Sequence, residues 1–99
     1  MKVKITSVHF KTDQKLDEFI QEKVGKLSGF YDGIIGSEAI LRIDNHDKQE
    51  NKVAEIRLKV RGNDLFAKKQ SKTFEEAIDS SVEALRRQLK KYKEKLRGQ

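Results

Sequence analysis

The sequence predicts an α+β fold of order βαβββα, a four-stranded mixed sheet with two helices packed on one of its faces. Three observations carry that expectation. Residues 54–60 alternate Ala54, Ile56, Leu58 and Val60 with Glu55, Arg57 and Lys59, the period-two pattern of a strand with one wet face. The stretches 13–28 and 73–97 instead space their apolar residues three and four apart, as amphipathic helices do. Gly62-Asn63 stands between two β-type runs, where a tight hairpin belongs.

In chain order, residues 2–8 (KVKITSV) alternate with β-branched residues and form the first strand. Thr12 is placed to cap the next segment, with Asp13 in its first turn. Leu16, Phe19, Ile20, Val24 and Leu27 then define a helix from about Asp13 to Ser28, with Gly29 placed to end it. Phe30-Tyr31-Asp32-Gly33 follows as an aromatic turn. Residues 37–44 give the second strand, with Ala39, Leu41 and Ile43 on one face, and the charged run 44–52 is a solvated loop. The third strand ends at the hairpin, and the fourth runs from Asp64 to Gln70. Thr73-Phe74-Glu75-Glu76 is a capping box opening a helix to about Arg97, with Phe74, Ala77, Ile78, Val82, Leu85, Leu89, Tyr92 and Leu96 apolar. The first crossover should be right-handed, with strands one and two parallel.

Ninety-nine residues suit one domain over 1–99 with a single modest core. The absence of cysteine excludes disulfides and thiolate metal sites, and fits a reducing cytosol. No apolar run exceeds the three residues of Ala39–Leu41 or Leu65–Ala67, far short of a membrane span or signal segment. A small, soluble, cytoplasmic basic protein is expected, monomeric when free, with no membrane partner.

Charge is the most informative property. Residues 1–50 carry eight Lys/Arg against nine Asp/Glu, whereas 51–99 carry fourteen against seven. Residues 86–97 (RRQLKKYKEKLR) hold seven cations against Glu94 alone, a net of +6 that equals the charge of the whole chain. Complementing the helix macrodipole explains two or three C-terminal cations; seven in twelve residues call for a polyanionic partner. About the helix axis, Arg86, Lys90, Lys93 and Arg97 form one ridge beside the apolar stripe, and Arg87, Lys91 and Lys95 form another. Lys23 lies within the apolar stripe of the first helix. Alone it would snorkel past its neighbours to water; with Lys26 it would line a groove between the helices that nucleic-acid phosphates could follow. Phe30 and Tyr31 fit the end of the core better than a base-stacking role. Phe66 falls out of phase with Leu65 and Ala67, on the open sheet face, as a stacking platform or a plain surface aromatic.

Enzymatic chemistry is not expected. His9 and His46 have no partner at metal-ligand spacing, the six serines form no arrangement of an activated nucleophile, and no phosphate-binding glycine loop is present. No cofactor and no small-molecule substrate is implied.

These residues also carry a family likeness. The opening strand MKVKITS, KLxxFYD (Lys26, Leu27, Phe30, Tyr31, Asp32), VxGNxLxA (Val60, Gly62, Asn63, Leu65, Ala67), FEEAID (Phe74–Asp79) and LRRQLKKYKEKL (Leu85–Leu96) occur in that order. Over essentially its full length the chain resembles the short ribosome hibernation-promoting factors, also called ribosome-associated inhibitors. The resemblance implies a fold like that of double-stranded-RNA-binding domains. It also implies occupancy of the mRNA and tRNA channel of the small ribosomal subunit, silencing idle ribosomes in starvation or stationary phase. Position by position, the family's rRNA-facing cations match Lys23 and Lys26 on the first helix and Arg87, Lys91, Lys93 and Lys95 on the second. Arg86 and Lys90 are extra cations. Ala84 stands where relatives commonly carry lysine, Phe66 replaces a frequent histidine, and Lys68-Lys69 replace small or acidic residues. No acidic tail or second domain follows Arg97, which under the resemblance favours a short factor.

Two other functions suit the residues. One is a free-standing duplex-RNA module, although Phe74-Glu75-Glu76 puts acid where such modules usually carry cations. The other is a protein-interaction module using the Leu85/Leu89/Tyr92/Leu96 stripe, whose four-three-four spacing suits a coiled coil, although the sheet needs that stripe as cover.

Overall fold

Alternating stretches become strands and the three-four stretches become helices in the computed structural model, which describes residues 1–98. The elements are β1 (Val3–Ser7), α1 (Gln14–Gly25), a single turn α2 (Leu27–Phe30), β2 (Ile34–Ile43), β3 (Lys52–Val60), β4 (Asn63–Ser71) and α3 (Phe74–Arg97). The sheet is ordered β1-β2-β3-β4. Strand β1 is parallel to β2, and the remaining pairs are antiparallel. This is the mixed sheet that the sequence predicts.

The inner sheet face presents Val3, Ala39, Leu41, Ala54, Ile56, Leu58, Val60 and Ala67, all buried. Against it lie Leu16, Ile20 and Val24 of α1 and Ala77, Ile78, Leu85 and Leu89 of α3, in the same cluster. Each large aliphatic side chain buried there contributes about 1.5–3 kcal/mol of transfer free energy. Small residues set the closest approach of α3: Ser81, fully buried, donates from Oγ to the Ala54 carbonyl at 3.4 Å. On the opposite face Arg57 pairs in register with Phe66, and Phe66 is 58% exposed.

Several local details depart from the sequence expectation. Asp13, not Thr12, caps α1: its Oδ1 accepts the Leu16 N–H at 2.7 Å, while Thr12 donates to the Asp17 carboxylate at 2.5 Å. The first helix does not run unbroken to Ser28. It breaks at Lys26, where Ser28 Oγ takes up the Gly25 carbonyl at 2.7 Å, and a new turn carries the chain to Phe30 before Tyr31 becomes extended. Strand β2 begins at Ile34, ahead of residue 37, because an irregularity between Ile34 and Gly36 restores the register. Val60 pairs with Asn63, so the hairpin turn is Arg61-Gly62 instead of Gly62-Asn63, with Gly62 at φ +78°, a conformation glycine adopts without a Cβ penalty. Thr73 caps α3 as expected, accepting the Glu76 N–H at 3.0 Å.

Candidate nucleic-acid interface

Helix α3 has 24 residues, about 36 Å at 1.5 Å per residue, whereas β3 and β4 have nine each, about 30 Å. The helix therefore outruns its sheet. Leu85 and Leu89 are fully buried, but Leu96 is 51% exposed, because the sheet ends at the Arg61-Gly62 turn beneath Tyr92. The Tyr92 hydroxyl donates to the Arg61 carbonyl at 2.7 Å and marks that end. Lys93, Lys95 and Arg97 extend past it. The apolar stripe is thus covered by the sheet except for its last leucine.

The two basic ridges flanking the stripe have different surroundings. Arg86 shares a groove with Lys23, Lys26, Leu27 and Phe30. Arg86, Arg87, Lys90, Lys93 and Arg97 line an adjoining cleft beside Phe30, with Glu83 and Glu94 in the same wall. Lys91 and Lys95 turn the other way, onto a hollow shared with Arg61, Gly62 and Asn63 of the hairpin. The groove between the helices is therefore walled by Lys23 and Lys26 on one side and by Arg86, with Asp79 and Glu83, on the other. Angular spacing groups Arg87 with Lys91 and Lys95, but Arg87 lines the Phe30 cleft with the other ridge, and spacing alone does not say which ridge meets α1.

Ion pairing divides the eight candidate cations further. Lys23 Nζ lies 3.6 Å from Asp79 Oδ1, Lys26 Nζ 3.7 Å from Glu22 Oε1, and Arg87 Nη1 3.7 Å from Glu83 Oε1. These are solvent-exposed pairs of small stabilising worth. Arg86, Lys90, Lys91, Lys93 and Lys95 have no carboxylate within ion-pair distance among the described residues.

Phe30 was not singled out for this face by sequence, and its surroundings are specific. Lys93 Nζ sits 4.8 Å from the ring centroid and Arg86 Cζ 5.6 Å from it, both inside the range of cation–π attraction. Lys93 Nζ also donates to the Phe30 carbonyl at 3.2 Å. The residues are 56 and 63 positions apart, so no local sequence signal connects them. Lys23 similarly lies 5.5 Å from the Phe19 ring.

A second aromatic link stiffens the same end. Tyr31 meets Tyr92 edge to face, with centroids 5.7 Å apart at 80°. The Tyr31 ring lies directly over Gly33, where a Cβ would collide with its ring atoms. Partial burial there, with the neighbouring Tyr92 phenol and then Asp32 adding to it, raises the Tyr31 phenol above its ordinary 10.0.

Among the described residues no group of three or more His, Asp or Glu side chains converges to hold a metal ion. No helix is long and apolar enough to cross a membrane.

Comparison with known proteins gives one consistent result. A family model described as "Sigma 54 modulation protein / S30EA ribosomal protein" matches residues 3–97. A ribosome hibernation promoting factor of Pseudomonas putida is 32% identical over 95 residues, spanning 96% of this chain and 89% of that protein. One from Klebsiella oxytoca is 28% identical over 97 residues, spanning 98% of both chains. Two solved structures share the fold. A ribosomal subunit interface protein from Coxiella burnetii gives a TM-score of 0.82 at 24% identity, covering 94% of this chain and 98% of that one. The Thermus thermophilus Protein Y N-terminal domain gives 0.80 at 19% identity, covering 93% and 99%.

Proposed function

The chain belongs to the sigma 54 modulation protein / S30EA ribosomal protein family, and from that membership we propose that it is a ribosome-binding hibernation factor. Its curated relatives are named ribosome hibernation promoting factors. In this proposal it acts in the cytoplasm as a monomer, without catalysis, on small ribosomal subunits that are idle in starvation or stationary phase.

The observation that carries the mechanism is the cationic end of α3, standing beyond the sheet and next to the groove of α1 and α2. Lys23, Lys26, Arg86, Arg87, Lys90, Lys91, Lys93 and Lys95 neutralise rRNA phosphates, releasing the counterions condensed on them. The body of the domain then occupies the channel that mRNA and tRNA need. Binding is by charge and shape, and inhibition is by occupancy. Burial of Leu85 and Leu89 under the sheet removes most of the stripe that a partner helix would require, which disfavours the protein-interaction alternative.

Competition on purified small subunits tests the mechanism. With rising protein concentration, bound mRNA and tRNA should be displaced in proportion to the protein bound. Subunits that carry all three together would rule out occupancy of the channel.

A further inference from the structure

We propose that Phe30 is a positioning residue that gathers Arg86 and Lys93 into one preformed notch for an RNA phosphate group. The proposal rests on the rRNA-binding function above and assigns to it a specific site. Arg86 and Lys93 are two turns apart on α3, roughly 10 Å along the axis, yet both charged heads converge on one ring, at 5.6 and 4.8 Å. Two like charges drawn together in this way repel each other. The electron-rich ring face offsets part of that repulsion, and the Phe30 carbonyl takes one Lys93 proton. Glu83 and Glu94 line the same cleft, but among the described residues no carboxylate comes within ion-pair distance of Arg86 or Lys93. Lys90 opens on the same cleft and adds to the unmet charge.

The contrast with Arg87 is informative, because Arg87 has a free path to solvent but already holds Glu83. A phosphate arriving there must displace a carboxylate. At the Phe30 notch it meets two cations whose side chains are already drawn in, so less ordering is left for binding to impose. The ligand chemistry follows from the donors. Arg86 offers a planar fork and Lys93 a compact point charge, a pair suited to the two non-bridging oxygens of one phosphodiester. The aromatic ring remains partly buried against the core, which keeps the notch in place before any ligand arrives. This reverses the weighting suggested by family matching, in which Arg86 is only an extra cation.

Two measurements decide the proposal. In the free protein, inorganic phosphate titrated at constant ionic strength, and followed through arginine Nε–H signals, should move Arg86 at lower concentration than Arg87. An equal response of the two, or none at Arg86, overturns the notch, whatever happens on ribosomes. On small subunits, Phe30→Leu should weaken binding roughly fivefold with the salt slope unchanged, since every charge is still present. Phe30→Tyr, which keeps the ring, should restore wild-type affinity. Wild-type affinity in Phe30→Leu, or equal losses in the folded Leu and Tyr variants, would contradict the assignment. If the wild-type protein does not bind subunits at all, the ribosomal function fails while the phosphate titration still judges the notch.

Discussion

Lys23 Nζ stands 3.6 Å from Asp79 Oδ1, an ion pair that ties α1 to α3 across the groove between them. Both partners are partly open to water, at 34% and 55% side-chain exposure, so the pair is screened and contributes little to stability. Its larger consequence is that Asp79, with Glu83, sets a carboxylate among the cations Lys23, Lys26 and Arg86 that line this groove.

Asp79→Asn should therefore change binding more than folding. Urea unfolding is expected to shift by no more than about 0.5 kcal/mol, while affinity for small subunits rises about twofold to fivefold as Lys23 is freed and a repulsive charge is removed. Weaker binding by the variant would mean that the pair positions Lys23 productively.

Gly33→Ala tests the aromatic end of the fold. The new methyl group must displace the Tyr31 ring, and with it the edge-to-face contact on Tyr92, worth about 0.5–1.5 kcal/mol. A loss of about 1 kcal/mol in thermal or urea unfolding is expected, with changed Tyr31 ring shifts. In a Tyr31→Ala background the same substitution should cost nothing, since no ring is left to displace.

The Tyr31 phenol should titrate above 10.0, because its partly buried site beside Tyr92 disfavours the phenolate. Since the folded value lies above the unfolded one, this group's stabilising contribution is complete below pH 10. It is lost as pH rises through the folded value. The Tyr31 ring resonances followed against pH report the midpoint directly, and a midpoint at or below 10 would contradict the packing described.

What the sequence reveals follows the range of the interaction. The alternation of β3 is a local period, and Ala54, Ile56, Leu58 and Val60 are all buried as it requires. The Thr73 cap acts over three residues and is equally legible. The break at Lys26 is not, because Leu16 to Leu27 keep a helical period through it and only a side-chain bond from Ser28 marks the change. The same limit applies to the basic face. Composition locates the charge on α3 and helical geometry sorts it into ridges. That Arg86 and Lys93 lie on Phe30 while Lys91 and Lys95 lie by Arg61 depends on how α3 is laid across the sheet. Leu96 shows the converse error: its spacing assigns it to the core, but the sheet beneath it has ended.

The most direct test of the central claim is the salt dependence of binding to small ribosomal subunits, with wild type compared to a variant in which Arg86, Lys90, Lys91, Lys93 and Lys95 are all glutamine. If about five phosphates are neutralised, wild-type affinity should fall by roughly two orders of magnitude for a fourfold rise in salt. The variant should bind far more weakly and with a much shallower slope, set by the remaining Lys23, Lys26 and Arg87. Salt-indifferent wild-type binding, or a variant that keeps the wild-type slope, would contradict the claim that the cations of α3 hold this protein on rRNA.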